Sequence, residues 1–143
     1  MIVRRATLAD ADGAATVFTA SFASMRFVPK LHSAQEDREF VRRLVAEKEV
    51  WLATRDGGIL GLACHHDGWL EQLYVHPLHH DRGIGTALLE RVMREHPGGF
   101  RLWTFQANAG ARRFYERHGC RLVELTDGRG NEEKTPDALY RWP

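Results

Sequence analysis

The stretch Leu73-Tyr74-Val75-His76-Pro77-Leu78-His79-His80-Asp81-Arg82-Gly83-Ile84-Gly85-Thr86-Ala87-Leu88-Leu89 decides the reading of this chain. Residues 69–75 have the composition of a strand. After Pro77 the sequence turns polar and glycine-bearing, and Ala87, Leu88, Leu89, Val92 and Met93 then recur at helical spacing up to the stop Pro97-Gly98-Gly99. A strand that enters a helix through such a turn leaves unpaired backbone N–H groups at the positive end of the helix dipole, an arrangement suited to a pyrophosphate. Gly83 and Gly85 suit the turn because a Cβ there would obstruct the approach of backbone to ligand, or the positive φ of an anion nest. The spacing is not a Rossmann fingerprint, since a third glycine is missing and the preceding strand belongs to a meander. No Gly-Lys-Ser/Thr follows, which removes the Walker loop. A turn serving only chain reversal stays as the alternative at this point.

Working outward, the segment upstream of Trp69 reads as a strand at Ile2–Ala6, a helix from about Leu8 to Ala23, and a second helix opening near Ser33. Thr7 with Asp10, and Ser33 with Glu36, have capping-box spacing, while Ala11, Ala14, Ala15, Phe18 and Phe22, then Phe40, Val41, Leu44 and Val45, supply the buried stripes. Val50–Ala53, Ile59–His66 and Trp69–Val75 form a meander turned at Asp56-Gly57-Gly58 and Asp67-Gly68. Downstream come a strand at Phe100–Phe105, a helix at Asn108–His118 ended by Gly119, a strand at Arg121–Leu125, a long polar loop at Thr126–Asp137 and a last strand at Ala138–Trp142. The order βααβββαβαββ describes a single α/β domain with a mixed, mostly antiparallel sheet of about seven strands and four helices.

Composition narrows the function classes. A chain of 143 residues with 43% hydrophobic and 27% charged residues is an ordinary globular composition. Its net charge of +1 lacks the basic excess of a nucleic-acid binder, and no apolar run approaches the roughly 18 residues of a membrane span. With no signal-like apolar segment in Met1–Gly13, a cytoplasmic location is expected. Cys64 and Cys120 lie outside any metal or redox spacing and read as reduced, buried thiols. His76, His79 and His80 form an HxxHH run in a loop without a recognisable metal-ligand pattern, and no metal is expected in the protein.

The turn resembles the [RQ]xxGxG[AG] signature of the GNAT superfamily of N-acetyltransferases, with His80 standing where Arg or Gln is usual, Gly83 and Gly85 matching, and Thr86 outside the last position. A second block, Asn108-Ala109-Gly110-Ala111-Arg112-Arg113-Phe114-Tyr115-Glu116-Arg117-His118-Gly119-Cys120, is similar to the family's NxxAxxFYxxxGF, with Cys120 in place of Phe. The resemblance implies acetyl-CoA as donor cosubstrate and an amine-bearing acceptor, small molecule or peptide, attacked directly. It also implies that the fourth and fifth strands splay to admit the pantetheine arm. The pyrophosphate role falls on the backbone of Arg82, Gly83, Ile84, Gly85 and Thr86, with His80 beside it. The thioester carbonyl falls to the N–H of Leu73 or Val75, and Tyr115 faces the sulfur.

Read from their own chemistry, the candidate residues fit these roles. The Tyr115 phenol, with an ordinary pKa of about 10, is protonated at neutral pH and can donate to a departing thiolate. Asn108 suits a helix N-cap and a hydrogen bond to a pantetheine amide together, and Arg112 and Arg82 are candidate phosphate partners. Glu71, two residues before Leu73, is a candidate base on the same strand face. In the loop, Glu132, Glu133 and Asp137 are candidate binders of a cationic acceptor, within a TDGxxNEExxPDxxYxW pattern similar to one that recurs in small members of the family. Homodimerisation stays open. The competing reading is an acyl-CoA-binding sensor without catalysis, against which Tyr115 argues.

Overall fold

The elements follow the expected order in the computed structural model, which describes residues 1–80 and 83–143. They are β1 (Ile2–Arg5), α1 (Ala11–Ser24), α2 (Ala34–Glu47), β2 (Glu49–Arg55), β3 (Gly58–His66), β4 (Trp69–Val75), α3 (Ile84–Glu95), β5 (Phe100–Phe105), α4 (Ala109–Arg117), β6 (Arg121–Thr126) and β7 (Asp137–Trp142). The strands form one sheet in the order β1-β2-β3-β4-β5-β7-β6, antiparallel throughout except for β4 against β5. The first helix begins three residues later than its periodicity suggests, behind a 3-10 turn at Leu8–Asp10. There Asp10 accepts the Thr7 N–H at 2.8 Å and is gripped by both terminal nitrogens of Arg4, each at 2.8 Å. The Ser33–Glu36 capping box forms as spaced, with bonds of 3.1 and 3.0 Å opening α2.

Strand alternation divides the core between the two sheet faces. Val50, Leu52, Leu62 and Cys64 pack on one face with Ala14, Ala15, Val17, Phe18, Val41 and Leu44 of α1 and α2. Trp51, Ala53 and Ala63 pack on the other with Ile84, Leu88, Leu89 and Val92 of α3 and Tyr115 of α4. The central strands are therefore buried on both faces, which is why β2 and β3 read as nearly unbroken apolar runs. Cys64 and Cys120 are buried and free. Among the described residues no helix is long and apolar enough to cross a membrane.

Candidate active site

The parallel pair β4–β5 is joined at one register position, Trp69 with Arg101, supported by the Arg101 N–H donating to Gly68 O at 3.0 Å. Beyond that point the two strands separate, as the family resemblance implied. A β-bulge adds to the opening: Cys64 pairs with Gln72 and His65 with Leu70, leaving Glu71 as the extra residue. Past the bulge, the His76 N–H donates to Leu60 O on β3 at 2.8 Å. Alternation then turns the amides of Leu73 and Val75 away from β3 and toward the gap. The Val75 carbonyl, on that same side, accepts the Ser21 hydroxyl of α1 at 3.0 Å and contacts His80 Nε2 at 2.9 Å.

A cavity of about 540 Å³ fills the gap between β4, β5 and the N-termini of α3 and α4. Of the residues expected at the cofactor, Leu73, Val75, His80, Gly83, Ile84, Gly85, Thr86, Asn108 and Tyr115 all line it; Arg82 lies outside the described residues. The first intrahelical bond of α3 runs from the Ala87 N–H to Gly83 O at 3.0 Å, so the amides of Ile84, Gly85 and Thr86 precede any helical acceptor. Gly83 adopts φ +75°, the left-handed conformation expected of a nest, and a Cβ there would meet no atom of the described residues within 4 Å. Gly85 differs: a Cβ would stand 3.4 Å from the Phe114 ring, so this glycine lets α4 approach α3. The Thr86 side chain is also a helix-to-helix link. His118 Nδ1 lies 2.8 Å from Phe114 O, which accepts only, so Nε2 is the acceptor for the Thr86 hydroxyl at 3.2 Å.

At the start of α4, Asn108 caps the helix by accepting the Ala111 N–H at 3.0 Å, while among the described residues its amide nitrogen reaches only the Met25 sulfur, at 3.9 Å. Tyr115 is 7% exposed, packs at 5.3 Å from Phe114, and borders the cavity. Burial raises its pKa above the ordinary value of 10, which holds the phenol protonated. Arg112 is not at either cavity: its Nε donates to the Tyr140 hydroxyl at 3.0 Å, which donates in turn to Glu116 at 2.6 Å. The i,i+4 spacing of Arg112 and Glu116 was the legible sign of this link. Sequence reasoning also passed over Trp103, Thr104, Phe105 and Met25 as cavity residues, and used His79 only to weigh a metal; its Nδ1 is buried and unbonded among the described residues.

A second cavity, about 990 Å³, opens on the other side of the gap and shares Glu71, Gln72, Tyr74, Trp103, Thr104 and Phe105 with the first. Its wall carries Glu36, Asp37, Glu39, Glu71, Glu132, Glu133 and Asp137 against Lys30 and Arg43. Glu132 contacts His32 at 2.5 Å, which ties the loop between β6 and β7 to the segment before α2 and raises the His32 pKa. Asp137 lines the same cavity and is also bonded within the loop. One carboxylate oxygen accepts the Thr126 hydroxyl, the other accepts Asn131 Nδ2 at 3.0 Å, and the residue is buried. Glu71, at the junction of the cavities, accepts Lys48 Nζ at 2.6 Å. Its place follows from the bulge rather than from simple alternation with Leu73.

Comparison with known proteins places this geometry. Over 100 residues the chain is 31% identical to the peptidyl-lysine N-acetyltransferase YiaC of Escherichia coli, a match that spans 69% of this chain and 66% of that relative's length. The fold superposes on the ribosomal-protein-alanine N-acetyltransferase of Brucella melitensis with a TM-score of 0.81 at 16% identity, covering 99% of both chains. It also superposes on yncA of Salmonella typhimurium, solved with its cofactor acetyl-CoA, at a TM-score of 0.77 and 18% identity, over 99% of this chain and 91% of the other. Residues 46–120 match the acetyltransferase (GNAT) domain family. This span is more than half of the chain and runs from the end of α2 through β4, α3, β5 and α4, the elements that build the first cavity, so the chain belongs to the GNAT family of acetyltransferases.

Proposed function

We propose that the protein transfers the acetyl group of acetyl-CoA to a primary amine on a cationic acceptor, by direct attack at the gap between β4 and β5. The observation that carries this reading is the shared wall. A cavity ending in free helix amides and a larger, acid-lined cavity meet at Glu71, Gln72, Tyr74, Trp103, Thr104 and Phe105, which gives donor and acceptor separate entries to one point. Family membership and the acetyl-CoA of the yncA structure support the donor.

In this scheme the amides of Gly83, Ile84, Gly85 and Thr86 receive the pyrophosphate, with Arg82 and His80 adjoining, and Asn108 Nδ2 donates to a pantetheine carbonyl. The N–H of Leu73 or Val75 stabilises the oxyanion that forms when the amine nitrogen bonds to the thioester carbon. As the C–S bond breaks, Tyr115 gives its proton to the departing thiolate and is reprotonated from solvent. Glu71 takes the proton the amine sheds, directly or through a water, with Lys48 holding its carboxylate in place. Arg112 acts at a distance by fixing the far side of α4 through Tyr140.

The test is thiol release from acetyl-CoA across a panel of small amines and lysine-bearing peptides. Turnover with at least one cationic amine is expected; tight acetyl-CoA binding with no thiol release on any acceptor would favour a sensor without catalysis. Acceptor recognition has its own check. Glu132→Gln with Glu133→Gln is expected to raise the acceptor KM several-fold and flatten its salt dependence, leaving acetyl-CoA affinity unchanged. Asp137→Asn should act on loop stability instead, since both carboxylate oxygens are engaged within the loop. Unaltered acceptor kinetics in the double variant would remove the loop from acceptor binding.

A further inference from the structure

Away from both cavities, three side chains with metal-ligand chemistry converge where β2, β3 and the end of α3 meet. Glu49 opens β2, His65 stands opposite it on β3, and His96 caps the C-terminus of α3. One ligand atom from each lies within 4.8 Å of those of the other two, the only such group of three among the described residues.

His65 is 6% exposed, and its Nε2 is shut off from solvent with no hydrogen-bond partner among the described residues. A buried imidazole nitrogen left unbonded costs free energy that an apolar residue on the same strand would avoid, so its retention points to a ligand that uses the lone pair. Beside it, His96 Nε2 lies 2.8 Å from Glu49 Oε2, and the two imidazoles stack with centroids 3.5 Å apart. The Trp51 indole N–H holds the same carboxylate at 2.9 Å. This is the outer support that ligating carboxylates commonly have.

We propose that Glu49, His65 and His96 bind one divalent first-row cation, with Zn²⁺ as its representative, clipping β2, β3 and the end of α3 together. Two imidazoles and one carboxylate are a borderline-soft donor set that suits Zn²⁺ and leaves one tetrahedral position for water, whereas Mg²⁺ and Ca²⁺ call for oxygen ligands. Glu49 and His96 have side chains 23% and 28% exposed, which provides the way in. Bonds of about 2.0–2.1 Å set tetrahedral ligand atoms roughly 3.4 Å apart, so Glu49 Oε2 and His96 Nε2, now 2.8 Å apart, must open to admit the cation. His96 sits at the helix end and is the side chain free to rotate out of the stack, moving its Nε2 proton to Nδ1 as the metal replaces it.

Zn²⁺ titrated by calorimetry into the chelator-treated protein is expected to bind one equivalent and raise Tm, with Mg²⁺ doing neither. Co²⁺ in the same site should show tetrahedral visible absorption. His96→Gln and Glu49→Gln, both at partly exposed positions that tolerate the change, are each expected to weaken Zn²⁺ binding at least about tenfold and abolish the Co²⁺ spectrum. The triple variant His76→Gln, His79→Gln, His80→Gln should bind Zn²⁺ as the parent does. Absence of Zn²⁺ binding, undiminished binding in His96→Gln, or loss of binding in the triple variant would each overturn the assignment.

Discussion

Tyr115→Phe is expected to lower kcat by about 10²- to 10⁴-fold, the usual contribution of a positioned general acid, while acetyl-CoA affinity and Tm stay near the parent values. The split follows from the surroundings of the side chain. Its ring is part of the core, in contact with Phe114 and Tyr140, and that packing survives in Phe. Its hydroxyl enters no hydrogen bond among the described residues, so removing it breaks nothing structural. The pH profile tells where the proton resides. Because burial raises the Tyr115 pKa above 10, the acid form persists through the alkaline range in which enzymes are assayed. An alkaline decline of kcat below about pH 10 would therefore report another group, and the Phe variant should keep any such decline while losing amplitude throughout. Near-parental kcat in the Phe variant would reduce Tyr115 to a packing residue and leave solvent to protonate the thiolate.

Gly83→Val is expected to weaken acetyl-CoA binding by about 10²-fold or more, since displacement of two hydrogen bonds to charged oxygens at about 1.5–3 kcal/mol each has that effect. Two costs combine at this residue. A β-branched side chain resists φ +75°, and its Cβ would project into space that no atom of the described residues occupies, beside the cavity that Gly83 lines. Gly83→Asn separates them, because Asn tolerates the left-handed region while still placing a side chain in the ligand's path. Both variants should lose affinity, Val the more. Calorimetry with acetyl-CoA, with circular dichroism to confirm the fold, is the measurement; an unchanged Kd in folded Gly83→Val would remove the pyrophosphate from this turn. Gly85→Val should behave differently, lowering stability as well, because its Cβ already stands 3.4 Å from Phe114 and the added methyl groups would push α4 off α3.

These expectations differ in how far they could be drawn from sequence. Periodicity, caps and turn glycines act over a few residues, and they located all eleven elements and the helix whose N-terminus faces the cavity. The first helix was the exception in its start, where Asp10 is held by Arg4 from across the turn and the chain winds as a 3-10 segment. Side-chain partners were less legible. Arg112 had the charge of a phosphate ligand, but the docking of α4 on β7 brings it to Tyr140. Asp137 had the charge of an acceptor ligand and lines the larger cavity, while the hydrogen bonds that the return of the loop to β7 gives it, from Thr126 and Asn131, were not legible.

By itself the sequence determined the order βααβββαβαββ, the glycine-bearing turn at Gly83–Thr86 that opens α3 and the placement of Asn108 and Tyr115 at α4, because each rests on interactions within one or two helical turns or one hairpin. Only the tertiary structure decided the rest. The bulge at Glu71, the single register pairing between β4 and β5, and the meeting of the two cavities depend on strand packing. The meeting of Glu49, His65 and His96 depends on where α3 ends over the sheet. Register and helix docking are settled by the packing of distant apolar faces, and no local pattern of residues encodes which polar groups that packing will bring together.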